Sequence, residues 1–568
     1  MNQPPASFFH RIILENDSAK TDLLLAYDAK AHALEEGPGV DSGLGEQTAN
    51  PTTLRFGLHP FIQTKQQSFC LNVARQAPMV RPHTAMVFSS PIFLFLFLPV
   101  VLTGYACLPG IRAKNFWLLL MSLVFYAWGE VSFVFLLLAS ALINFFFGRW
   151  VDRSEDARRR KVVAGLAVAA NIGLLAFFKY ADFFVASLNS LLPLLGMSTV
   201  HQPHIPLPIG ISFFTFHALS YVIDIYRRKW RAAADPKDVA LYIFFFPQLI
   251  AGPILRWNAI APQLADREIT QEKFAEGIRR FVGGLAKKML IANALAVPAD
   301  QIFALSSDQL SLPLAWFGIL CYSLQIYFDF SGYSDMAVGM GKMFGFKFLE
   351  NFDFPYVAQS IRDFWRRWHI SLSTWFRDYL YIPLGGNRIS EARTQLNLIT
   401  VFFLCGLWHG ASWTFVAWGL YHGLFLSLER TRFGTWLEKC SRPTRHAYAV
   451  LVVMMGWILF RSNTWTEAHH YFQALLGLNH PSTPQPLARY NSRRILWALT
   501  FGILFSGPAW GWIKANCSRL GQSAPVNYRS VAARLGSVVE ITLILGLLLL
   551  SAIGLAGGTY NPFIYFRF

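Results

Sequence analysis

Phe364-Trp365-Arg366-Arg367-Trp368-His369 and, forty positions on, Gly406-Leu407-Trp408-His409-Gly410 decide how this chain is read. The second block lies inside an apolar run from about Leu396 to Leu428. An ionisable side chain is costly within a membrane span and is by default a functional suspect there. The first block opens an Arg- and Trp-rich stretch. From Arg362 to Tyr379, the residues Trp365, Trp368, Leu372, Trp375, Phe376 and Tyr379 recur at intervals of three and four. That spacing predicts one amphipathic helix lying in a membrane interface. His369 falls on its apolar stripe. Two histidines, one at the membrane face and one within the span, point to proton transfer inside a membrane protein. The bland alternative is an imidazole satisfied by a local hydrogen bond.

Composition agrees with a membrane protein. The 568 residues are 54% hydrophobic and 16% aromatic, with a mean hydropathy of +0.35. Apolar runs recur from about Phe88 onward, which excludes an ordinary soluble globule and predicts an all-α polytopic membrane protein. The formal charge of +17 sits in short loops between apolar runs, as the positive-inside rule requires. No continuous basic face interleaved with polar readers appears, so no nucleic-acid partner is expected. Cys70, Cys107, Cys321, Cys405, Cys440 and Cys517 are scattered without a CxxC pair, so neither a metal site nor a disulfide framework is expected.

Residues 1–85 differ from the rest. Arg11, Lys20, Lys30, Arg55, Lys65, Arg75 and Arg81 are balanced there by Glu15, Asp17, Asp22, Asp28, Glu35, Glu36, Asp41 and Glu46. The positive balance therefore belongs to residues 86–568. The segment carries no basic n-region followed by an apolar h-region. At Met86-Val87-Phe88-Ser89-Ser90 the character changes abruptly. Residues 1–85 read as a disordered tail or as an extension ahead of the true start at Met86, the second reading preferred. The basic residues Arg112 and Lys114, Arg153 to Lys161, and Arg227-Arg228-Lys229 are separated by pairs of apolar runs, which places all three loops on the cytoplasmic side. The run Val239–Leu255 is interrupted by Pro247 and Gly252-Pro253. Such breaks suit a polar chamber or a packing kink.

Further chemistry-bearing residues cluster nearby. Gly419-Leu420-Tyr421-His422-Gly423 echoes the His409 block thirteen residues later. Glycines four apart allow close helix approach. Thirteen residues is about 3.6 turns, so His409 and His422 should face different ways. Asp329, Ser331 and Asp335 lie on another apolar run, where the acids could orient a histidine or an arginine, or Asp335 could cap a helix. Arg366, Arg367, Arg377 and Arg388 could hold the phosphates of a coenzyme, or lipid headgroups.

Tyr322 to Asp335, Asp363 to Arg388, Leu407-Trp408-His409-Gly410 and Asn561-Pro562-Phe563-Ile564-Tyr565-Phe566-Arg567-Phe568, with the Met86 to Ser90 stretch, resemble the membrane-bound O-acyltransferase superfamily. The likeness is to its bacterial branch that O-acetylates alginate and related polymers. The resemblance implies a ring of roughly ten to twelve transmembrane helices plus interfacial helices around a central tunnel. It implies His409 and His369 as catalytic residues, with Trp408 and His422 among the tunnel residues. It also implies cytosolic acetyl-CoA as donor with no permanently bound cofactor, the inner membrane as location, and an exported polysaccharide as final acceptor. A periplasmic acetyl-transfer partner and the polymer export machinery would complete the system. Two other readings fit broken helices and intramembrane histidines: a secondary transporter of a lipid-linked or anionic metabolite, and a non-catalytic scaffold of an export complex.

Overall fold

The computed structural model describes residues 86–509, 511–513, 515–516, 519, 526–557, 560 and 561. The proposed extension 1–85, Cys70, Cys517 and the closing stretch 562–568 lie outside these residues. Among the described residues the fold is all helix, without a strand. In lipid a helix satisfies its own backbone, and this is the arrangement the apolar runs demand.

Two long helices follow the first basic loop. Helix α1 spans Val134–Arg153 and α2 spans Ala157–Leu191. The Asp156 side chain caps α2 by accepting from Arg159 N. Helix α3 is shorter, Ile211–Tyr226. Further on come α4 (Gln271–Ala286), α5 (Leu312–Met343), α6 (Ile361–Arg367) and α7 (Ile370–Phe376). They are followed by α8 (Glu391–His409), α9 (Trp413–Leu428), α10 (Arg442–Arg461) and α11 (Val526–Ala556). Five segments are long and apolar enough to cross a membrane: Val131–Arg153, Ala157–Leu195, Gln271–Phe303, Arg442–Arg461 and Arg534–Ala556. These five are counted among the described residues by length and composition alone, apart from the shorter apolar helices Phe93–Cys107 and Ile211–Tyr226.

Helix α5 is the axle of the fold. Every residue from Cys321 to Gly341 is buried, and it is apolar nearly all round, as a helix enclosed on every side must be. It packs backbone to backbone on α4. A Cβ at Gly284 would lie 2.5 Å from Gly332 O, and one at Gly277 would lie 2.6 Å from Gly339 O. Ion pairs join the same surfaces: Lys288 with Asp329 at 2.5 Å, and Lys287 with Asp335 at 2.7 Å. Arg280 Nε also donates to Asp335. Asp335 therefore holds an arginine from mid-helix and caps nothing. At the other extreme, Phe135 on α1 and Leu545 on α11 are exposed, as lipid-facing residues would be.

The proline-broken run is core. Residues 239–255 are all buried, folded as the helices Pro236–Phe244 and Phe246–Leu249. The backbone donors freed at the breaks find hydroxyls, Phe246 N on Ser122 Oγ and Ile254 N on Ser371 Oγ. Met86 is itself buried. Phe88 stacks on Tyr333 with centroids 4.3 Å apart.

Candidate active site

The single amphipathic helix expected over Arg362 to Tyr379 is two helices. Helix α6 ends at Arg367, α7 begins at Ile370, and His369 sits between them with φ of 45°. A non-glycine residue in the left-handed region is strained, at a cost of order 1–3 kcal/mol, and persists only where its surroundings over-determine it. Asn351 does so here. Its carbonyl accepts from Ile370 N, while its Oδ1 accepts from Ser371 N and Ser371 Oγ. Its Nδ2 donates to Ser334 Oγ on α5. A neighbouring backbone bond, Asp353 N to Arg367 O, closes the same turn. Far from facing lipid, the aromatic stripe is covered by protein: Trp365, Trp368, Leu372, Trp375, Phe376 and Tyr379 are all buried.

The same asparagine fixes the imidazole. His369 Nδ1 lies 3.1 Å from Asn351 Oδ1. That oxygen can only accept, so Nδ1 carries the hydrogen and Nε2 keeps its lone pair. Nε2 is buried and has no hydrogen-bond partner among the described residues. Phe330 of α5 meets the ring edge-on at 4.7 Å.

His409 is the last residue of α8, immediately before the sharp reversal into α9. The two helices touch through glycine. A Cβ at Gly406 would lie 2.3 Å from Phe415 O, and one at Gly419 would lie 2.2 Å from Phe402 O. The repeated glycine spacing thus builds a tight hairpin whose tip carries His409. Neither of its ring nitrogens has a hydrogen-bond partner among the described residues. Aromatic rings hold it: Trp408 at 4.8 Å, Trp418 at 4.9 Å and Phe460 at 5.2 Å. The His369 and His409 rings are 6.5 Å apart between centroids, with Trp408 at 6.1 Å from His369. The sequence-selected pair is therefore brought together. Two buried imidazoles this close suit proton transfer with a shared substrate group.

His422 lies on the other side of Trp418, 5.2 Å from that ring, with both nitrogens unpartnered and its edge against Gly456. His422 stands on α9 whereas His409 ends α8, so the thirteen-residue spacing, which takes one continuous helix, does not set their relative direction. Trp408 Nε1 and Ser331 Oγ are also buried without a hydrogen-bond partner. Asp329 and Asp335 serve the α4–α5 contact and hold cations, not histidines.

The arginines divide. Arg367 pairs with Asp353 and Asp363, and Arg377 with Asp378. Arg256 binds Asp378 as well, at 2.7 Å. Burial pushes the Asp378 carboxyl up, but Arg377 and Arg256 outweigh it and hold the group below its ordinary value. Arg366 and Arg388 are exposed and enter no ion pair among the described residues.

Three partners escaped the sequence reading. Lys179 of α2 donates to Trp408 O, and Tyr180 to Leu407 O. Glu429, just after α9, accepts from Ile361 N and Arg362 N and so caps α6. Lys179 is an ionisable residue inside an apolar run, the same signal that marks His409. Asn351 and Glu429 carried no signal of that kind.

Comparison with known proteins places the site in context. Residues 211–462 match the model of the membrane-bound O-acyltransferase family. A probable alginate O-acetylase of Azotobacter vinelandii is 42% identical over 505 residues, covering 85% of this chain and 100% of that protein. A peptidoglycan O-acetyltransferase of Helicobacter pylori is 38% identical over 429 residues, covering 69% and 80%. A teichoic acid D-alanyltransferase of Bacillus subtilis is 29% identical over 292 residues, covering 47% and 72%.

Proposed function

Because the chain belongs to the membrane-bound O-acyltransferase family, we propose that this acyltransferase moves an acetyl group from cytosolic acetyl-CoA across the inner membrane toward an exported polysaccharide. Alginate or a related exopolysaccharide is the acceptor this reading favours, since relatives matched along their whole length are named alginate O-acetylases. A periplasmic partner carries the acetyl group onward to the polymer.

One observation carries the mechanism: two buried imidazoles, 6.5 Å apart, with free ring nitrogens. In the proposed reaction His409 takes the proton of the acceptor hydroxyl as that oxygen attacks the thioester carbonyl. General-base assistance is worth about a hundred- to ten-thousandfold. His369, held by Asn351 with a lone pair left on Nε2, positions the acceptor proton or the donor. Arg366 and Arg388, unengaged by carboxylates, are the proposed contacts for donor phosphates, with Arg367 and Arg377 reachable only by exchange of their present partners. Residues 1–85 are proposed to be dispensable, since the apolar, helix-rich character of the chain sets in abruptly at Met86-Val87-Phe88.

The test is polymer-bound acetyl ester in a deletion strain complemented with the full chain, a Met86-start version, His409→Ala or His369→Ala, at matched membrane abundance. The full chain and the Met86-start version are expected to restore ester, and His409→Ala to leave less than about 1% of it. Full ester from His409→Ala would sink the general-base assignment. An absence of ester from the full chain would sink the acetyl-transfer reading itself.

A further inference from the structure

Lys179 is buried in the middle of α2, beside the base, and nothing in the reaction described so far uses it. Its Nζ donates to Trp408 O at 2.5 Å and to Ser212 Oγ at 3.1 Å, and stands 5.9 Å from the Trp408 ring centroid. Lys179 pairs with no carboxylate among the described residues, whereas Lys288, also buried, has Asp329 at 2.5 Å. An ammonium has three N–H bonds, and two are used. A buried cation without an anion is expensive. The carbonyl end of α8 offsets only part of it, since a helix C-terminus is equivalent to about half a negative charge. The site is thus built with a deficit of negative charge next to His409.

Acyl transfer from a thioester creates that missing charge. We propose that Lys179 stabilises the oxyanion of the tetrahedral intermediate, an assignment that rests on the acyl-transfer reading above. The acceptor hydroxyl gives its proton to His409, and its oxygen bonds to the carbonyl carbon. The carbonyl π pair moves onto oxygen, and the resulting anion is held by the third N–H of Lys179. Collapse reforms the carbonyl and breaks the carbon–sulfur bond. The departing thiolate then takes the proton back from the imidazolium. Ester and free thiol are the products, and Lys179 ends as it began. Its ammonium is fixed by Trp408 O and Ser212 Oγ before the reaction, so little reorganisation is needed when the charge forms. Preorganisation of this kind is what makes electrostatic stabilisation large.

A merely structural lysine and a catalytic one predict opposite things for Lys179→Met. If Lys179 only caps α8, its removal lowers thermal stability and disturbs donor binding along with rate. If it awaits an oxyanion, removal relieves an uncompensated buried charge and damages only the chemical step. The measurement is thiol release from acetyl-CoA by inverted membrane vesicles of the complemented strain, with deletion-strain vesicles as background. Melting of the purified full chain is followed alongside. Lys179→Met is expected to lose about a hundred- to thousandfold in kcat, with donor KM within about threefold and no fall in melting temperature. Gly173→Ala on the same helix, where a Cβ meets nothing within 4 Å, is expected to stay within about threefold in kcat. Should Lys179→Met not accumulate, Lys179→Gln removes the charge while keeping a donor for Trp408 O, and the same criteria apply. A kcat loss below tenfold, or one accompanied by a lower melting temperature or a proportionate rise in KM, overturns the assignment. Wild-type vesicles that release no thiol above background would overturn the acyl-transfer reading and this assignment together, whereas an active wild type with an active Lys179→Met overturns this one alone.

Discussion

Gly419→Ala is a one-carbon change that should nearly silence the enzyme. The added Cβ would lie 2.2 Å from Phe402 O and 3.0 Å from Gly406 Cα. Neither atom is the end of a flexible side chain; both belong to helical backbone, so α8 and α9 must move apart. Ordinary contact begins at 3.4 Å, which requires about 1.2 Å of separation, and His409 lies only one turn beyond Gly406 on the displaced helix. A 1 Å misplacement of a catalytic group can cost about a hundredfold. We therefore expect Gly419→Ala to lower the rate of acetyl-CoA thiol release by about a hundredfold, and to cost about 1–3 kcal/mol of stability from overpacking. The matched control is Gly173→Ala on α2, where a Cβ meets nothing within 4 Å. It should keep full rate and gain slightly in stability, since Ala outranks Gly in a helix. Both variants are assayed in vesicles and by thermal melting of the purified chain. If Gly419→Ala works within threefold of Gly173→Ala, close packing of the hairpin does not position His409, and the geometric argument is wrong.

Two other perturbations test what holds the remainder of the site. Glu429→Ala removes the acceptor for Ile361 N and Arg362 N; burial raises this carboxyl, and those backbone donors together with the Tyr448 hydroxyl and Arg362 pull it back. The orphaned amides should cost about 1–3 kcal/mol and loosen α6, seen as a lower melting temperature and faster hydrogen exchange over 361–369, with unchanged exchange counting against the cap. Asp329→Asn leaves the Lys288 ammonium buried beside a neutral amide, a loss expected at about 3–5 kcal/mol. A melting temperature equal to wild type would mean that the α4–α5 contact does not depend on this pair.

Cost was what made part of this site legible. His369 and His409 stand out because imidazoles inside apolar runs need a reason, and the structure puts their rings together. The glycine echo was legible for the same kind of reason, since spacing alone says two helices can touch. The break at His369 was not. The three- and four-residue periodicity of Trp365 to Tyr379 runs straight through it, and a helical wheel has no place for an asparagine eighteen positions upstream. Asn351 supplies hydrogen bonds that compete with the helical ones, and tertiary context of that kind overrides local pattern. The aromatic stripe misled for a related reason. Wide apolar faces look alike whether lipid or protein covers them. The proline-broken run read equally well as chamber or kink, and only its burial from 239 to 255 decides for packing.

Lys179 marks a different limit. It satisfies the rule that singled out His409, yet in a chain of net charge +17 one more lysine is absorbed into the loop charges that orient the helices. Helix length is what separates it from them. Lys179 lies twenty-two residues into α2, about 33 Å from its start at 1.5 Å per residue, whereas orienting charges gather at helix ends. Around it the helices are short: α3 and α9 have 16 residues each and α8 has 19, about 24 to 29 Å. A hydrocarbon core is about 30 Å thick. The proposed reaction, with a donor from one face and an acceptor from the other, needs a point within reach of both, and short helices would supply one. His409 ends such a helix, Ser212 opens another, and His369 occupies a break between two more. A charge shared between two helix ends leaves no mark on the pattern of either one, so its place becomes readable only once the ends are brought together.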